Sequence, residues 1–430
     1  MASKQQPNAL DRRLYIVMAA ALLTSMAMVL VGFRNQGLVA NTGDPYGYGK
    51  IARHFVEHGF DQLTRRAASL YPTFLSFIYG LGGSDFVVQL CHCLLHVGTC
   101  SLAFIIGRHL FNARTGLIAG VFCAFHPMLL RYVADLHMET WLTFFCTFTV
   151  WRAILFYDRP TVRNGILLGV VGTVATLSKG VMLPFLAAFT VVWVVRGLRR
   201  APGALARDLR GGPLPGIFAM VATMALLIAP WTYRNYKVSG HVVMLTPGTP
   251  DAFLRGYIFT RVEFATLQRP PYIDAENESN RLFRRIAKEN GTTWELDEVQ
   301  DDVNNSKVMK RMIIEHPLDT VRKVVVGLFT FWYEMTSLKN SLVPFTLAIG
   351  NWALAFVGLK RARAEGRPSW LLLLPILSLN VFVAILVPLG RYSVPILPSL
   401  SVLAAFGLDT LLDRRAKASA TTGAAPSVAA

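Results

Sequence analysis

The sequence predicts an all-α polytopic membrane protein of about ten transmembrane helices, with amphipathic juxtamembrane helices and a small α-rich external cap. Three observations predict it. Of the 430 residues, 53% are hydrophobic and only 16% charged, where a soluble domain carries about 25% charged residues. Apolar runs long enough to cross a bilayer recur along the chain. The 43 Lys and Arg against 26 Asp and Glu give a net charge of +17, and the excess falls in short loops, as cytoplasmic loops of membrane proteins require. The composition argues against a soluble multidomain enzyme, and the charge needs no nucleic acid to explain it.

Residues 1–13 form a short cytoplasmic segment. The run from Leu14 to about Phe33 follows Asp11-Arg12-Arg13, and no Ala-x-Ala-like cleavage site comes after it, which makes it an uncleaved first helix. Further apolar segments lie near 86–106, 113–130, 138–157, 165–195, 214–233, 320–335, 341–359, 369–389 and 392–412. As one helix, 165–195 would measure about 46 Å against a core of ~30 Å. It would also bury Lys179 in mid-membrane at a cost on the order of 3 kcal/mol. Two helices meeting at Ser178-Lys179-Gly180 bring the lysine to the surface instead.

The apolar part of 320–335 is too short to cross. With the N-terminus inside, the arginines at 108, 114, 152, 159, 163, 196, 199 and 200 are cytoplasmic. Lys360-Arg361-Ala362-Arg363 and Arg414-Arg415 join them only if 320–335 lies in the interface. Both termini are then cytoplasmic. The chain divides into an N-terminal transmembrane catalytic module (14–233, including an external loop over 34–85), an external cap (234–319), C-terminal helices (320–412, with 320–335 interfacial) and a disordered tail (413–430). The cap holds 13 of the 26 acidic residues, and 278–290 and 300–315 suit short helices within it. Cys91, Cys93, Cys100, Cys123 and Cys146 all sit in apolar runs, at spacings that match neither a zinc ribbon nor a disulfide framework. No internal repeat is visible, which weakens an inverted-repeat transporter.

The chemistry collects at the outer helix ends. Asp44 precedes Pro45 beside Tyr46 and Tyr48; it suits an N-cap, and equally a base that takes a proton from an acceptor hydroxyl. The stretch 49–60 is amphipathic and suits an interfacial helix. Within it His54-Phe-Val-Glu57-His58 matches the H-x-x-E-H pattern of inverted zincins, without a third ligand, so a membrane zinc protease is a minor alternative and no metal is assigned. Asp135 and Glu139 lie four apart at the outer start of a helix, a spacing that stacks the two carboxylates on one face. The plain account is charge complementing a helix dipole, but Glu139 opens an apolar run, where a carboxylate is a functional candidate. Lys179, Arg234 and Arg391 reach the outer boundary from three helices. Each alone suits a snorkelling anchor; together they suit a lipid phosphate.

The ordered set Asp44-Pro45-Tyr46, Tyr71-Pro72, Ser178-Lys179-Gly180, Pro230-Trp231-Thr232-Tyr233-Arg234-Asn235 and Arg391-Tyr392-Ser393-Val394-Pro395 resembles the GT-C superfamily of polyprenyl-phosphate-dependent glycosyltransferases. More specifically, it resembles the bacterial relatives of protein O-mannosyltransferases and lipid A aminoarabinose transferases. The resemblance implies inverting transfer of a sugar from a polyprenyl-phosphate donor to a hydroxyl of a lipid, glycan or protein acceptor, at the outer face of the inner membrane. It implies Asp44 as base, Glu139 and Asp135 as the second acidic position, and Lys179, Arg234 and Arg391 as phosphate ligands. Tyr46, Tyr48, Tyr71 and Tyr392 would contact substrate. No cofactor is required, and a divalent cation is compatible with the chemistry. The family's first-loop Asp-Glu pair is Asp44-Pro45 here. The competing reading is a transporter or flippase of lipid-linked sugars.

Overall fold

A long apolar run in hydrocarbon satisfies its backbone only as a helix, and helices are what form. A computed structural model describes residues 12–36, 43–61, 70–198, 212–261, 272–295, 298–333 and 338–422, and no strand occurs among the described residues. The first half holds α1 (Arg12–Gln36), α2 (Gly43–His58), α3 (Leu70–Gly80), α4 (Asp85–Leu110), α5 (Ala113–Ala124), α6 (Pro127–Arg131), α7 (Glu139–Asp158), α8 (Val162–Ser178), α9 (Leu183–Leu198) and α10 (Pro213–Ser239). Next come α11 (Thr249–Phe259), α12 (Tyr272–Glu289), α13 (Glu298–Glu315) and α14 (Pro317–Thr330), and last α15 (Leu338–Ala364), α16 (Trp370–Ile385) and α17 (Leu397–Thr422). Five of the described helices are long and apolar enough to cross a membrane, and four shorter apolar ones accompany them.

The chain reverses at Lys179, where extended backbone (φ −160°, ψ 130°) separates α8 from a 3₁₀ turn, Gly180–Met182, that leads into α9. Leu186 packs on Gly172, and Phe189 and Trp193 both pack on Phe156 at the far end of α7. Those contacts set α9 antiparallel to α8, and Lys179 at the bend.

Four segments differ from the sequence reading. The run 113–130 is not one helix: α5 has 12 residues and ends before His126-Pro127, because the ring of Pro127 disfavours helical backbone at the residue before it. His126 is extended there (φ −71°, ψ 115°) and caps α6 instead. The segment 34–85, read as an external loop, contains α3 as well as the expected amphipathic helix. With 11 residues α3 is too short to span, yet it buries Tyr71, Pro72, Leu75 and Ile78. Asp85 holds this region together, accepting from Tyr79 Oη (2.7 Å) and from Arg53 Nη2 (3.2 Å). In the 234–319 region α11 joins the two expected helices. Finally, α17 runs on to Thr422 through residues read as disordered tail. Asp413 is paired there with Arg114 (3.0 Å) and Arg361 (3.1 Å), and residues 423–430 lie outside the described residues.

In lipid, helices approach closely only where small residues let their backbones meet. One such crossing joins α15 to α17 at Gly358 and Gly407, where a Cβ on Gly407 would sit 1.8 Å from the Leu354 carbonyl oxygen. Gly407→Ala is expected to destabilise by about 1–3 kcal/mol through overpacking. Gly350→Ala, in the same pair of helices but with open space around it, should be neutral. Thermal unfolding of both variants in detergent checks this, and equal effects would contradict it.

Candidate active site

The apolar face of α2 buries Ile51, Ala52 and Phe55, and Tyr48 lies toward the same packing. Its hydroxyl donates to Met138 Sδ (3.1 Å), and its ring meets Tyr71 edge-on at 5.4 Å. Asp44 is one turn earlier on α2. Since α2 starts at Gly43, Asp44 sits inside the first turn rather than at the N-cap. The side chains of Asp44 and Tyr46 lie outside the described residues.

Tyr71 is fully buried, and its hydroxyl is 3.2 Å from His92 Nε2, while His92 Nδ1 is 3.3 Å from the Val133 carbonyl. A carbonyl only accepts, so the network assigns the proton to Nδ1 and has Tyr71 donate to Nε2. Gln89, a turn earlier on α4, donates to the next carbonyl, Ala134 (2.7 Å). These two buried side chains fix the 132–138 segment that carries Asp135. Sequence reasoning passed over both, because they lie within an apolar run; their spacing on one face of α4 was the available signal.

Phe74 and Trp141 extend the aromatic wall beside Tyr71, and Trp141 Nε1 donates to Ser178 Oγ (2.7 Å). The next residue, Lys179, places Nζ 3.8 Å from the centre of the Tyr392 ring. Arg391 donates to the Tyr392 hydroxyl (2.9 Å) and also lies over that ring (4.9 Å). Tyr392 and Arg391 belong to a 3₁₀ turn, Gly390–Ile396, between α16 and α17. Two of the three expected cations thus meet on one aromatic ring.

The third stands apart. Arg234, one turn before the end of α10, donates to the Phe60 carbonyl and to Asn235 Oδ1, both at 3.0 Å, with its guanidinium 5.2 Å from the Trp231 ring. It therefore meets the end of the first outer segment, near Asp61. Leu245 links the two groups: its carbonyl accepts from Trp231 and Asn235, and its side chain abuts Gly180.

Asp135 and Glu139 do not stack on one helical face, because α7 begins only at Glu139 and Asp135 lies in the preceding turn. Glu139 is 4% exposed, and its Oε2 has no hydrogen-bond partner among the described residues. It shares its electrostatic neighbours His137 and Tyr132 with Arg391. Asp135 pairs with His137 Nδ1 at 2.8 Å and accepts from the Leu136 amide. Burial pushes the Asp135 carboxyl up, but His137 and the Leu136 amide outweigh it and hold it below the ordinary value. Burial pushes His137 down, but Asp135 and Glu139 outweigh it and raise the imidazole. In the zincin-like motif, His54 Nε2 is 2.6 Å from Asp61 Oδ1 and the two imidazoles stack at 4.6 Å.

The pair has a pH signature. The raised His137 contributes stability that is complete below the ordinary imidazole value of about 6.5 and is lost as pH rises through its folded-state value. The depressed Asp135 contributes stability above about 3.9, lost as pH falls through its own folded-state value. On raising pH from about 6 to about 9, wild-type unfolding temperature should fall toward that of His137→Gln. Parallel curves would show that the pair adds nothing.

Residues 68–233 match the family model described as dolichyl-phosphate-mannose-protein mannosyltransferase. No curated protein matches the chain. Among solved structures, the oligosaccharyltransferase AglB of Archaeoglobus fulgidus, in complex with an inhibitory peptide and a dolichol-phosphate, aligns with a TM-score of 0.56 at 14% identity over 97% of this chain and 52% of that one. The apo form of the Archaeoglobus fulgidus oligosaccharyltransferase aligns with a TM-score of 0.57 at 14% identity, over 96% of this chain and 52% of that one. The chain spans about half the length of these structures. The matched segment contains Tyr71, Asp135, Glu139 and Lys179, and the fold continues through the turn that carries Arg391. This chain therefore shares the helical fold of these oligosaccharyltransferase structures.

Proposed function

We propose that the protein is a membrane glycosyltransferase that moves a sugar from a polyprenyl-phosphate donor to an acceptor hydroxyl at the outer face of the inner membrane, with inversion at the anomeric carbon. The observation that carries this reading is the meeting of Lys179 and Arg391 on Tyr392, beside the buried carboxylate of Glu139. Cations held at the end of an apolar bundle suit an anionic headgroup whose tail stays in lipid. The similar AglB structure was solved with a dolichol-phosphate, which supports the donor class.

In the proposed reaction Asp44 accepts the acceptor's hydroxyl proton. The hydroxyl oxygen attacks the anomeric carbon from the face opposite the phosphate, forming the new glycosidic bond. The bond from that carbon to the phosphate oxygen breaks, and its electron pair leaves with the polyprenyl phosphate. Lys179 and Arg391 stabilise the charge that develops there, which is effective where water is scarce. Arg234, Tyr48 and Tyr392 position donor and sugar, the fully buried Tyr71 backs Tyr48 rather than touching substrate, and Glu139 and Asp135 take the second acidic position. The chemistry needs no cofactor, and a divalent cation is compatible with it.

Ten crossings follow if α7, α8, α9, α16 and the broken pair α5–α6 span along with the five long helices. Both termini and the Arg114–Asp413–Arg361 cluster are then cytoplasmic, at the opposite helix ends from Lys179. The 234–319 cap is external in this arrangement.

Asp44→Asn is expected to lower transfer by about 10²–10⁴-fold in purified protein supplied with a polyprenyl-phosphate sugar, with lipid binding retained. Undiminished transfer would remove Asp44 as base; translocation of lipid-linked sugar without transfer in the wild type would favour a flippase. Lys179→Gln and Arg391→Gln should each cost about 10²–10³-fold in kcat/KM. Identification of a polyprenyl phosphate by mass spectrometry of co-purified lipid would support the donor assignment.

A further inference from the structure

The proposed cation pair depends on how the Gly390–Ile396 turn is held, and the residue best placed to hold it is a lysine outside every motif described above. Lys323, on α14, is 2% exposed. Its Nζ donates to the carbonyls of Ala384 (3.3 Å), Ile385 and Leu386 (2.9 Å). An ammonium has three donors, and here each meets one carbonyl. Those carbonyls belong to the end of α16, where the last turn of a helix has no backbone donors of its own and the dipole favours a cation. Four residues further on the 3₁₀ turn begins that carries Arg391 and Tyr392.

The same ammonium lies 4.5 Å from the centre of the Phe253 ring on α11. Two glycines make the approach feasible. A Cβ on Gly327 would sit 3.0 Å from Ala384 Cα, and one on Gly256 would overlap the Leu386 carbonyl oxygen at 1.6 Å. Asn380 Nδ2 adds a bond from α16 to the Leu328 carbonyl (3.1 Å). Three elements therefore converge on one charge: α14, the C-terminal end of α16, and α11.

We infer that Lys323 is a positioning residue: by tying the end of α16 to α11 and α14, it sets where Arg391 and Tyr392 stand and so tunes affinity for a lipid phosphate. The inference rests on the proposed function of Arg391 and extends it to a residue that touches no substrate. It also makes α11 a means by which the external region influences the donor end of the site.

The test compares Lys323→Met, Lys323→Arg, Phe253→Leu and Arg391→Ala with wild type in two measurements. The first is amide hydrogen exchange over 386–396; the second is binding of decaprenyl phosphate in detergent. Lys323→Met should speed exchange in that segment and weaken binding roughly fivefold to tenfold. Lys323→Arg should restore much of both, and Phe253→Leu should fall between. In turnover assays the Lys323→Met defect should appear in KM for the donor more than in kcat. Should Lys323→Met not fold, the Arg and Phe253 variants still order the series.

Unchanged exchange and binding in Lys323→Met, with binding lost in Arg391→Ala, overturns the positioning role and leaves the donor assignment standing. Binding retained in Arg391→Ala overturns the donor assignment, and with it the part given to Lys323.

Discussion

Backbone amides and carbonyls inside hydrocarbon have no water to bond, so irregular chain must either leave the bilayer or be fully satisfied by protein. That constraint organises this molecule. Its helix breaks at Lys179, at Met138–Glu139 and at Gly390–Ile396 fall at one end of the bundle, and each break carries an ionisable side chain. Interrupting a helix there frees backbone that needs partners, and polar side chains supply them: His92 and Gln89 reach the carbonyls of Val133 and Ala134. The site exists because the helices stop there.

The same constraint shows in two buried charges that are met by several partners each. Lys323 has three donors on three carbonyls. Asp409, 2% exposed at the other end of the bundle, accepts from Asn112 and Thr115 and pairs with Arg114. Breaking such a set strands a buried charge, which costs more than the set contributes when whole. The two ends are thus fixed by different means, one by a cluster of opposite charges and the other by a charge meeting helix-end carbonyls.

Features set by long-range periodicity and by charge were legible in the sequence. The apolar runs located the principal helices, and the expense of a mid-membrane lysine was enough to place a reversal at Lys179. Short elements were not legible: α3 and α11, of 11 residues each, are too brief for a helical period to stand out from an apolar loop. The stacking expected of Asp135 and Glu139 failed because where α7 begins depends on bonds that α4 makes to the preceding segment, and no local pattern carries that. Lys323 went unread because one lysine in an apolar stretch looks like a snorkelling anchor until its acceptors, some sixty residues away, are known.

Lys179 rests against the face of Tyr392, and among the described residues no carboxylate pairs with it. An aromatic quadrupole attracts a cation without cancelling its formal charge. A newly arriving anion would therefore not have to evict an internal counterion before engaging the ammonium. Such a resting arrangement preserves electropositive character at the mouth of the bundle while still keeping a flexible side chain ordered, so readiness and order do not compete.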